Sequence, residues 1–294
     1  MVARAILVLV AWLAAATPAA AVPLTILYTN DLHARQERLA SLERLLDAER
    51  AADPDVLLVD GGDALQDFRI PTYAVWGGEA MLRWMERVGY DAMALGNHEL
   101  YLAPHALRQW TQDAAFPLLS ANVEVARETP RGYGSAVVVR GGLRVLVVGL
   151  TTPQYFPLFD LSDVVASDPV ASLAREIAHA GKVDLVVCVA HIPLREAAAL
   201  ARRVPEVDVF VTGHSHERTV EPRIVGNAVL VQAGAFGREL GRLSIDVAPE
   251  GVTVLSNDLL PSEKEAAGPG LRTGLERLAL TLAGIAAFLA FALL

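Results

Sequence analysis

Apolar and polar positions alternate in blocks along residues 22–260, and each block has the length and period of one structural element. Continuous apolar runs of four to seven residues are typical of strands buried on both faces. Between these runs, apolar residues recur at helical spacing, as Leu39, Leu42 and Leu46 do. The alternation predicts βαβ units. The strand-like runs of this kind are LTILYT, DVLLVD, DAMAL, DLVVCVA and VDVFVT.

The same pattern predicts helices over residues 37–52, 79–88, 104–114, 169–180 and 194–203, with a loop around Pro71 and Gly77-Gly78. Gly141-Gly142 separates two β-branched runs and predicts a hairpin. Three further strand-like runs, AVLVQAG, RLSIDVA and VTVLS, follow without helices between them. Either one mixed sheet or two sheets packed face to face, with helices outside, accommodates this order.

The N-terminal 21 residues have the pattern of a signal peptide. Arg4 precedes an apolar stretch from Ala5 to Ala16, and Ala19-Ala20-Ala21 provides small residues for cleavage before Val22. The alternative is an uncleaved anchor, but the apolar stretch is short of the roughly 20 residues that a spanning helix needs. We therefore expect export, to the periplasm or the cell surface.

The C-terminal residues 278–294 form an uncharged apolar run of 17 residues. We expect a membrane anchor, with processing of the tail or packing on a partner as alternatives. Residues 261–277 begin with PSEKEAAGPG, which is typical of a linker. The expected organisation is a signal peptide (1–21), a catalytic body (22–260), a linker (261–277) and a hydrophobic tail (278–294).

Charge excludes one class of partner. The net charge is −9, and removal of residues 1–21 takes away one arginine. A nucleic-acid polymer is therefore not expected as a ligand, because its binders carry a basic stripe. A small phosphate ester remains compatible, since bound cations dominate the local field of a metal site. The sole cysteine, Cys188, lies inside an apolar run and is expected to be buried.

Short polar signatures follow five of the strand-like runs, where ligands bind in open α/β sheets. Of the seven histidines, five belong to these signatures, and this partition favours a two-metal site over scattered loop histidines. Asp63 follows Gly62 and is the natural bridging carboxylate. His214 and His216 are two residues apart, so an extended loop would present one imidazole to each ion. The signature residues are Asp31, His33, Asp63, Asn97, His98, His191, His214 and His216.

The signatures TNDLH (29–33), GGD (61–63), GNHE (96–99), His191 and GHSH (213–216) resemble those of the calcineurin-like metallophosphoesterase superfamily. The resemblance is strongest to the catalytic domain of bacterial 5′-nucleotidases and cyclic-nucleotide phosphodiesterases, and it covers residues 24 to about 258. It implies an α/β fold, a four-layer αββα sandwich with two mixed sheets and metals at the strand ends. It also implies hydrolysis of phosphate esters with two divalent ions.

Carried over by position, the resemblance assigns one ion to Asp31, His33, Asp63 and His216. It assigns the other ion to Asp63, Asn97, His191 and His214. Because Asn97 occupies the ligand position, His98 is expected to protonate the leaving group or stabilise the phosphoryl charge. The alternative for His98 is a ligand or a supporting residue. The mixed oxygen and imidazole set suits Mn, Fe, Zn or Co and does not select among them.

Two departures from the nucleotidase pattern leave the substrate open. GNHE is followed by Leu100-Tyr101, where those enzymes usually have an aspartate that orients the histidine. The second departure is that the body is followed by the linker and tail, where those enzymes carry a base-stacking C-terminal domain. The leading hypothesis is an exported phosphomonoesterase or phosphodiesterase acting on a small, nucleotide-like phosphate ester. The alternative is a membrane-tethered module that binds metals or a partner with little or no turnover.

Overall fold

The structure is a computed structural model that describes residues 20–67, 71–101, 109–110, 112–125, 134–152 and 164–264, with the backbone alone for 71–77 and 125. The predicted signal peptide up to residue 19, the predicted tail and much of the predicted helix 104–114 lie outside these residues. Among the described residues, no helix is long and apolar enough to cross a membrane.

The described strands and helices follow the predicted alternation in the first two thirds of the chain. A 3₁₀ turn at Gln36–Arg38 leads into the first α-helix. The helices are α1 (Leu39–Ala52), α2 (Pro71–Arg87), α3 (Asn97–Leu100), α4 (Pro169–Ala180) and α5 (Leu194–Ala201). The strands are β1 (Val22–Thr29), β2 (Leu57–Asp60), β3 (Ala92–Ala94), β4 (Leu118–Leu119), β5 (Val123–Val125), β6 (Ser135–Arg140), β7 (Leu143–Thr151), β8 (Val164–Ala166), β9 (Leu185–His191), β10 (Val209–Thr212), β11 (Arg223–Val225), β12 (Ala228–Val231), β13 (Glu239–Ala248) and β14 (Gly251–Pro261).

Two six-stranded sheets organise the body. The first has the order β14-β13-β1-β2-β3-β4 and the second the order β11-β12-β10-β9-β7-β6. Strands β1 to β4 are parallel, and β13 joins them antiparallel to β1. In the second sheet, β7, β9, β10 and β12 are parallel. The hairpin at Gly141-Gly142 forms as predicted, with Arg140 paired to Leu143.

Three apolar layers hold these elements together. The middle layer lies between the sheets, where Ile26 and Val59 of the first sheet pack with Val187 and Val211 of the second. An outer layer packs α1 and α2 on the first sheet, and a second outer layer packs α4 and α5 on the other. The result is the predicted four-layer αββα sandwich, and Cys188 is buried in it as expected.

One local prediction was wrong. The segment around Pro71 and Gly77-Gly78 is not a loop, because α2 begins at Pro71. Proline is compatible with the first turn of a helix, where its missing N–H is not needed. Gly78 lies against Trp110, and a Cβ at Gly78 would stand 2.0 Å from the indole Cη2 atom. The glycine thus reflects close packing between helical segments, which sequence alone does not distinguish from a turn.

The residues directly after β14 remain hydrogen-bonded to the body. The Ser262 N–H donates to the Arg238 carbonyl at 2.8 Å, and the Glu263 N–H donates to the Ser41 hydroxyl at 2.9 Å. Residues 262 and 263, the second and third of the predicted linker, therefore contact α1 and the loop before β13.

Candidate metal centre

The predicted site lies at the carboxyl ends of five parallel strands, three in the first sheet and two in the second. The loops after β1, β2 and β3 carry Asp31, Asp63 and Asn97, while β9 ends in His191 and the loop after β10 carries His214. Because the two sheets are stacked face to face, their strand ends meet at one edge of the sandwich. The topology thus brings together residues as far apart in the chain as Asp31 and His214, which are separated by 183 positions.

The first cluster consists of Asp31, His33 and His216. The Asp31 Oδ1 atom lies 3.2 Å from His216 Nε2 and 3.8 Å from His33 Nε2. The two imidazole Nε2 atoms are 3.3 Å apart and face each other. Asp31 and His33 are buried, and the His216 side chain is 34% exposed. The three ligand atoms surround one point that is open to solvent on the His216 side.

The second cluster consists of Asp63, Asn97, His191 and His214. His191 Nε2 lies 3.1 Å from Asp63 Oδ2 and 3.1 Å from Asn97 Oδ1. Asn97 Oδ1 also lies 3.0 Å from His214 Nδ1. The other nitrogen of His191, Nδ1, faces the Gly61 carbonyl at 3.0 Å, which fixes the orientation of the ring. Each of these four side chains contacts another through an atom that can bind a metal.

Asp63 links the two clusters. Its carboxylate forms one compact group with Asp31 and His191 and another with His33 and His98, each with ligand atoms within 4.8 Å of one another. The first cluster is a third such group. Asp63 therefore lies between the two clusters, as does Asp31, which also belongs to two of the three groups, and the bridging role of Asp63 stays a prediction.

The backbone around the site is strained. In the described part of the chain, seven non-glycine residues have positive φ, and five of them are predicted ligands. Left-handed backbone is unfavourable for residues with a Cβ and is retained where the surrounding structure requires it. The loop that carries His214 and His216 is therefore turned and not extended, contrary to the sequence expectation, and the two imidazoles still reach different clusters. The five are Asp31 (φ 51°), His33 (49°), Asp63 (56°), His214 (69°) and His216 (56°).

The loop of Asp63 and the start of α3 can approach each other closely because residue 96 is a glycine. A Cβ at this position would stand 2.0 Å from the Asp63 Oδ1 atom. The adjacent His98 N–H donates to the same oxygen at 2.9 Å. Gly96 therefore lets the start of α3 come within hydrogen-bonding distance of the central carboxylate.

Charge in the site favours cations. Burial alone would raise the pKa of Asp63, but the neighbouring His191, His98 and His33 bring it well below its usual range. Burial lowers the pKa of His33 to about 4, so this ring is neutral at pH 7. Burial opposes a proton on His191, yet Asp63 and Asp31 raise its pKa to about 10. The carboxylates thus stabilise positive charge at the point where the ligand atoms converge.

The donor set fits a pair of divalent metal ions. Carboxylate, amide and imidazole atoms converge without a lysine or arginine among them, and two imidazole nitrogens face each other at 3.3 Å. Buried carboxylates need a counter-charge, and this mixed ligand set provides a place for Mn, Fe, Zn or Co. The structure therefore brings together all seven residues that the sequence predicts as ligands.

His98 lies beside both clusters. Its ring centroid is 4.7 Å from that of His33, and its Nε2 atom is 3.8 Å from Asp63 Oδ2. These distances place the His98 imidazole at the edge of both clusters, and its acid role stays a prediction. They also leave the ligand alternative open, because His98, His33 and Asp63 form a compact group.

Sequence reasoning missed a set of supporting residues. The buried Glu99 carboxylate accepts from the N–H groups of Asp63, Leu65 and Gly96 at 3.0, 2.9 and 2.8 Å. The Gln232 side-chain oxygen accepts from the Ser215 hydroxyl and the Glu217 N–H, at 3.0 and 2.9 Å, and so braces the loop of His214 and His216. Glu99 lies inside the GNHE signature and Gln232 inside the strand-like run AVLVQAG, but their backbone partners are distant in sequence.

Replacing Glu99 by glutamine is expected to lower the free energy of unfolding by about 1–3 kcal/mol, because an amide NH₂ must then face a buried N–H donor. Urea unfolding of the metal-free protein measures this. Glu86→Gln is the matched control, since Glu86 accepts from the Ala115 N–H at 3.0 Å in an exposed position. Equal changes in the free energy of unfolding of the two variants would show that the buried hydrogen bonds of Glu99 stabilise the protein no more than the exposed one of Glu86.

Arg35 and Asn122, two polar residues near the site, are engaged in contacts with neighbouring groups. Arg35 pairs with the buried Asp67 at 3.0 Å and lies 4.9 Å from the Phe236 ring centroid. Asn122 exchanges two hydrogen bonds with the Thr151 backbone, both at 2.9 Å, and so closes the end of β7. Asn122 is thereby engaged in holding the fold next to the site.

Comparison with known proteins agrees with this geometry. The sequence profile of the calcineurin-like phosphoesterase family matches residues 24–218. A 5′-nucleotidase of Vibrio cholerae is 29% identical over an alignment that covers 81% of this chain and 51% of the relative. An uncharacterised metallophosphoesterase of Bacillus subtilis is 26% identical over an alignment that covers 76% of this chain and 50% of the relative. The chain spans about half the length of these curated relatives.

A crystal structure shows the same architecture. The 5′-nucleotidase precursor from Thermus thermophilus superposes with a TM-score of 0.72 at 29% identity. The match covers 91% of this chain and 59% of that chain. The described body therefore corresponds to one part of a longer relative.

Proposed function

Because the chain belongs to the calcineurin-like phosphoesterase family, we propose that it is a metal-dependent hydrolase of small phosphate esters. The proposed substrates are phosphomonoesters or phosphodiesters of nucleotide-like size, and the proposed place of action is outside the cytoplasm. A 5′-nucleotidase relative and a 5′-nucleotidase crystal structure support the substrate class. The acidic net charge of −9 argues against a polymeric nucleic acid.

The observation that carries the proposal is the convergence of the seven ligand-type side chains from five strand ends. Asp31, His33, Asp63 and His216 would hold one ion, and Asp63, Asn97, His191 and His214 the other. When bound, two divalent cations would neutralise charge on the phosphoryl oxygens and lower the pKa of an attacking water. The strained loops would keep the ligand atoms in place before substrate arrives, so the site needs little reorganisation.

His98 would hold the proton that the leaving oxygen needs. Its backbone N–H is tied to Asp63 Oδ1, which fixes the start of α3 relative to the central carboxylate. Its ring lies against that of His33 at the edge of the first cluster. A proton donated from this position would let the leaving oxygen depart as a neutral alcohol and not as a basic alkoxide.

We also propose export and membrane attachment, which rest on the sequence of the two chain ends. Residues 1–21 have the three regions of a signal peptide, and residues 278–294 carry no charge. The measurement is N-terminal sequencing of the protein recovered from fractionated cells. A mature chain that begins at Val22 in the membrane fraction is the expected result, and a cytoplasmic chain that keeps Met1 would contradict it.

The test of the reaction is a substrate screen with the full chain. We expect metal-dependent release of phosphate from an aryl phosphate and from 5′-nucleotides when Mn, Co, Zn or Fe is added to chelator-treated protein. Cyclic nucleotides and simple phosphodiesters in the same screen distinguish diesterase from monoesterase activity. Elemental analysis of the same samples should give two ions per chain.

An outcome with two bound ions and no hydrolysis over the whole panel would reject the proposal. It would favour the alternative of a membrane-tethered metal-binding or partner-binding module with little turnover. The observation behind this alternative is that Tyr101 follows GNHE where nucleotidases usually have an aspartate that orients the histidine.

A further inference from the structure

Tyr101 is a hydrogen-bond partner of a predicted metal ligand. Asn97 is the first residue of α3, and Tyr101 directly follows its last residue, so the two are four positions apart. At this spacing side chains lie on the same face of a helix. The Asn97 Nδ2 group donates to the Tyr101 hydroxyl oxygen at 3.0 Å. The phenol therefore contacts the end of the carboxamide that points away from the cluster.

The orientation of this carboxamide decides whether Asn97 can bind a cation. Its oxygen is an acceptor and its nitrogen carries two donors, so only the oxygen can serve as a ligand. In the structure the oxygen lies 3.1 Å from His191 Nε2 and 3.0 Å from His214 Nδ1. A rotation by half a turn would direct N–H groups at both imidazoles and at the position of the ion. A neighbouring group must therefore favour one of the two nearly isosteric orientations of the Asn97 carboxamide.

We propose that Tyr101 is a positioning residue that orients the Asn97 oxygen toward the second metal ion. The inference rests on the proposed two-metal function and adds a residue that is specific to the GNHELY sequence of this chain. The phenol oxygen accepts from the Nδ2 group and so holds the Oδ1 atom at the cluster. Asn97 is 3% exposed, and water has little access to replace the phenol as the acceptor.

The inference predicts an effect on one ion and not on the other. Asn97 belongs to the second cluster, whereas the first cluster, Asp31, His33 and His216, has no contact with the carboxamide among the described hydrogen bonds. Loss of a residue that orients a ligand typically lowers metal affinity roughly 10- to 100-fold. Tyr101→Phe should therefore weaken the binding of one ion by this factor and leave the other within about threefold of its original affinity.

The experiment is a titration of the metal-free full chain with Co²⁺ alone, followed by calorimetry and by the visible absorption of the bound ion. Wild type, Tyr101→Phe and a matched control, Tyr28→Phe, are compared. Tyr28→Phe also removes a hydrogen-bonded phenol, since the Tyr28 hydroxyl donates to Asn257 Oδ1 at 2.8 Å away from the site. The expected result is two binding steps in wild type and control, with one step weakened in Tyr101→Phe.

Two unchanged affinities in Tyr101→Phe would overturn the inference, as would a wild-type chain that binds fewer than two ions. An equal loss at both sites, together with a lower melting temperature of the metal-free variant, would also overturn it, because it would indicate a structural role. The proposed function fails by a different readout, namely the absence of phosphate release by wild type loaded with two ions. A wild-type chain with fewer than two ions would fail both, whereas unchanged affinities in Tyr101→Phe beside an active two-ion wild type would fail the inference alone.

Discussion

Replacing Asp63 by asparagine should nearly abolish hydrolysis, with kcat/KM reduced by at least about 1,000-fold, or about 4 kcal/mol of transition-state stabilisation. Asparagine has the same shape but carries no charge and only one acceptor oxygen. In the structure one Asp63 oxygen accepts from the His98 N–H, and the other lies 3.1 Å from His191 Nε2. The amide cannot serve both partners and bridge two cations, so both metal sites lose a ligand or a charge.

The measurement combines steady-state kinetics on an aryl phosphate with elemental analysis of the purified variant. We expect fewer than two ions per chain in Asp63→Asn. The matched control is Asp91→Asn, since Asp91 is also buried and accepts from the Leu58 N–H at 2.9 Å, but it precedes β3 at the opposite end of that strand. Asp91→Asn can lower stability while leaving the metal content at two. Two ions and an activity within tenfold of wild type in Asp63→Asn would contradict the bridging role.

The place of the site could be predicted from the sequence because the carboxyl ends of parallel strands lie at the same edge of a sheet. Apolar runs predicted where strands end, and the polar residues after them had to meet at the carboxyl edge of a sheet. The structure places Asp31, Asp63, Asn97, His191 and His214 at that edge. Short-range periodicity therefore predicted where these polar residues meet, whereas the division of the ligands between two ions came only from the family resemblance. Periodicity also left open how the strands divide between two sheets.

The strand pairing, the supporting hydrogen bonds and the loop conformations could not be predicted, because they depend on long-range contacts that have no local sequence signature. Strand β13 pairs with β1, and Tyr28 is the partner of Gly241, more than 200 residues later. Glu99 accepts from the N–H groups of Asp63 and Leu65, and residue type alone does not reveal backbone partners. The left-handed backbone of five ligands is equally hidden, because aspartate and histidine, although enriched among left-handed residues, mostly adopt other backbone conformations.

Replacing His98 by asparagine should reduce kcat by about 100- to 10,000-fold for an alkyl or nucleoside phosphate ester, the usual range for loss of a general acid. The reduction should be much smaller for a nitrophenyl phosphate, because that leaving group departs without needing a proton. The His98 ring lies 4.7 Å from that of His33, beside the first cluster. His179→Asn is the matched control, since His179 is exposed on α4 and its Nδ1 faces the Arg175 carbonyl at 2.7 Å.

Metal content separates the two roles that geometry permits for His98. If the ring is a proton donor, His98→Asn keeps two ions per chain and its defect grows with the basicity of the leaving group. If the ring is a ligand, as its compact grouping with His33 and Asp63 allows, the variant loses an ion and both substrates slow by the same factor. The dependence on the leaving group is therefore decisive, because a missing ligand weakens binding of every phosphoryl group alike, whereas a missing proton matters only where the departing oxygen is basic.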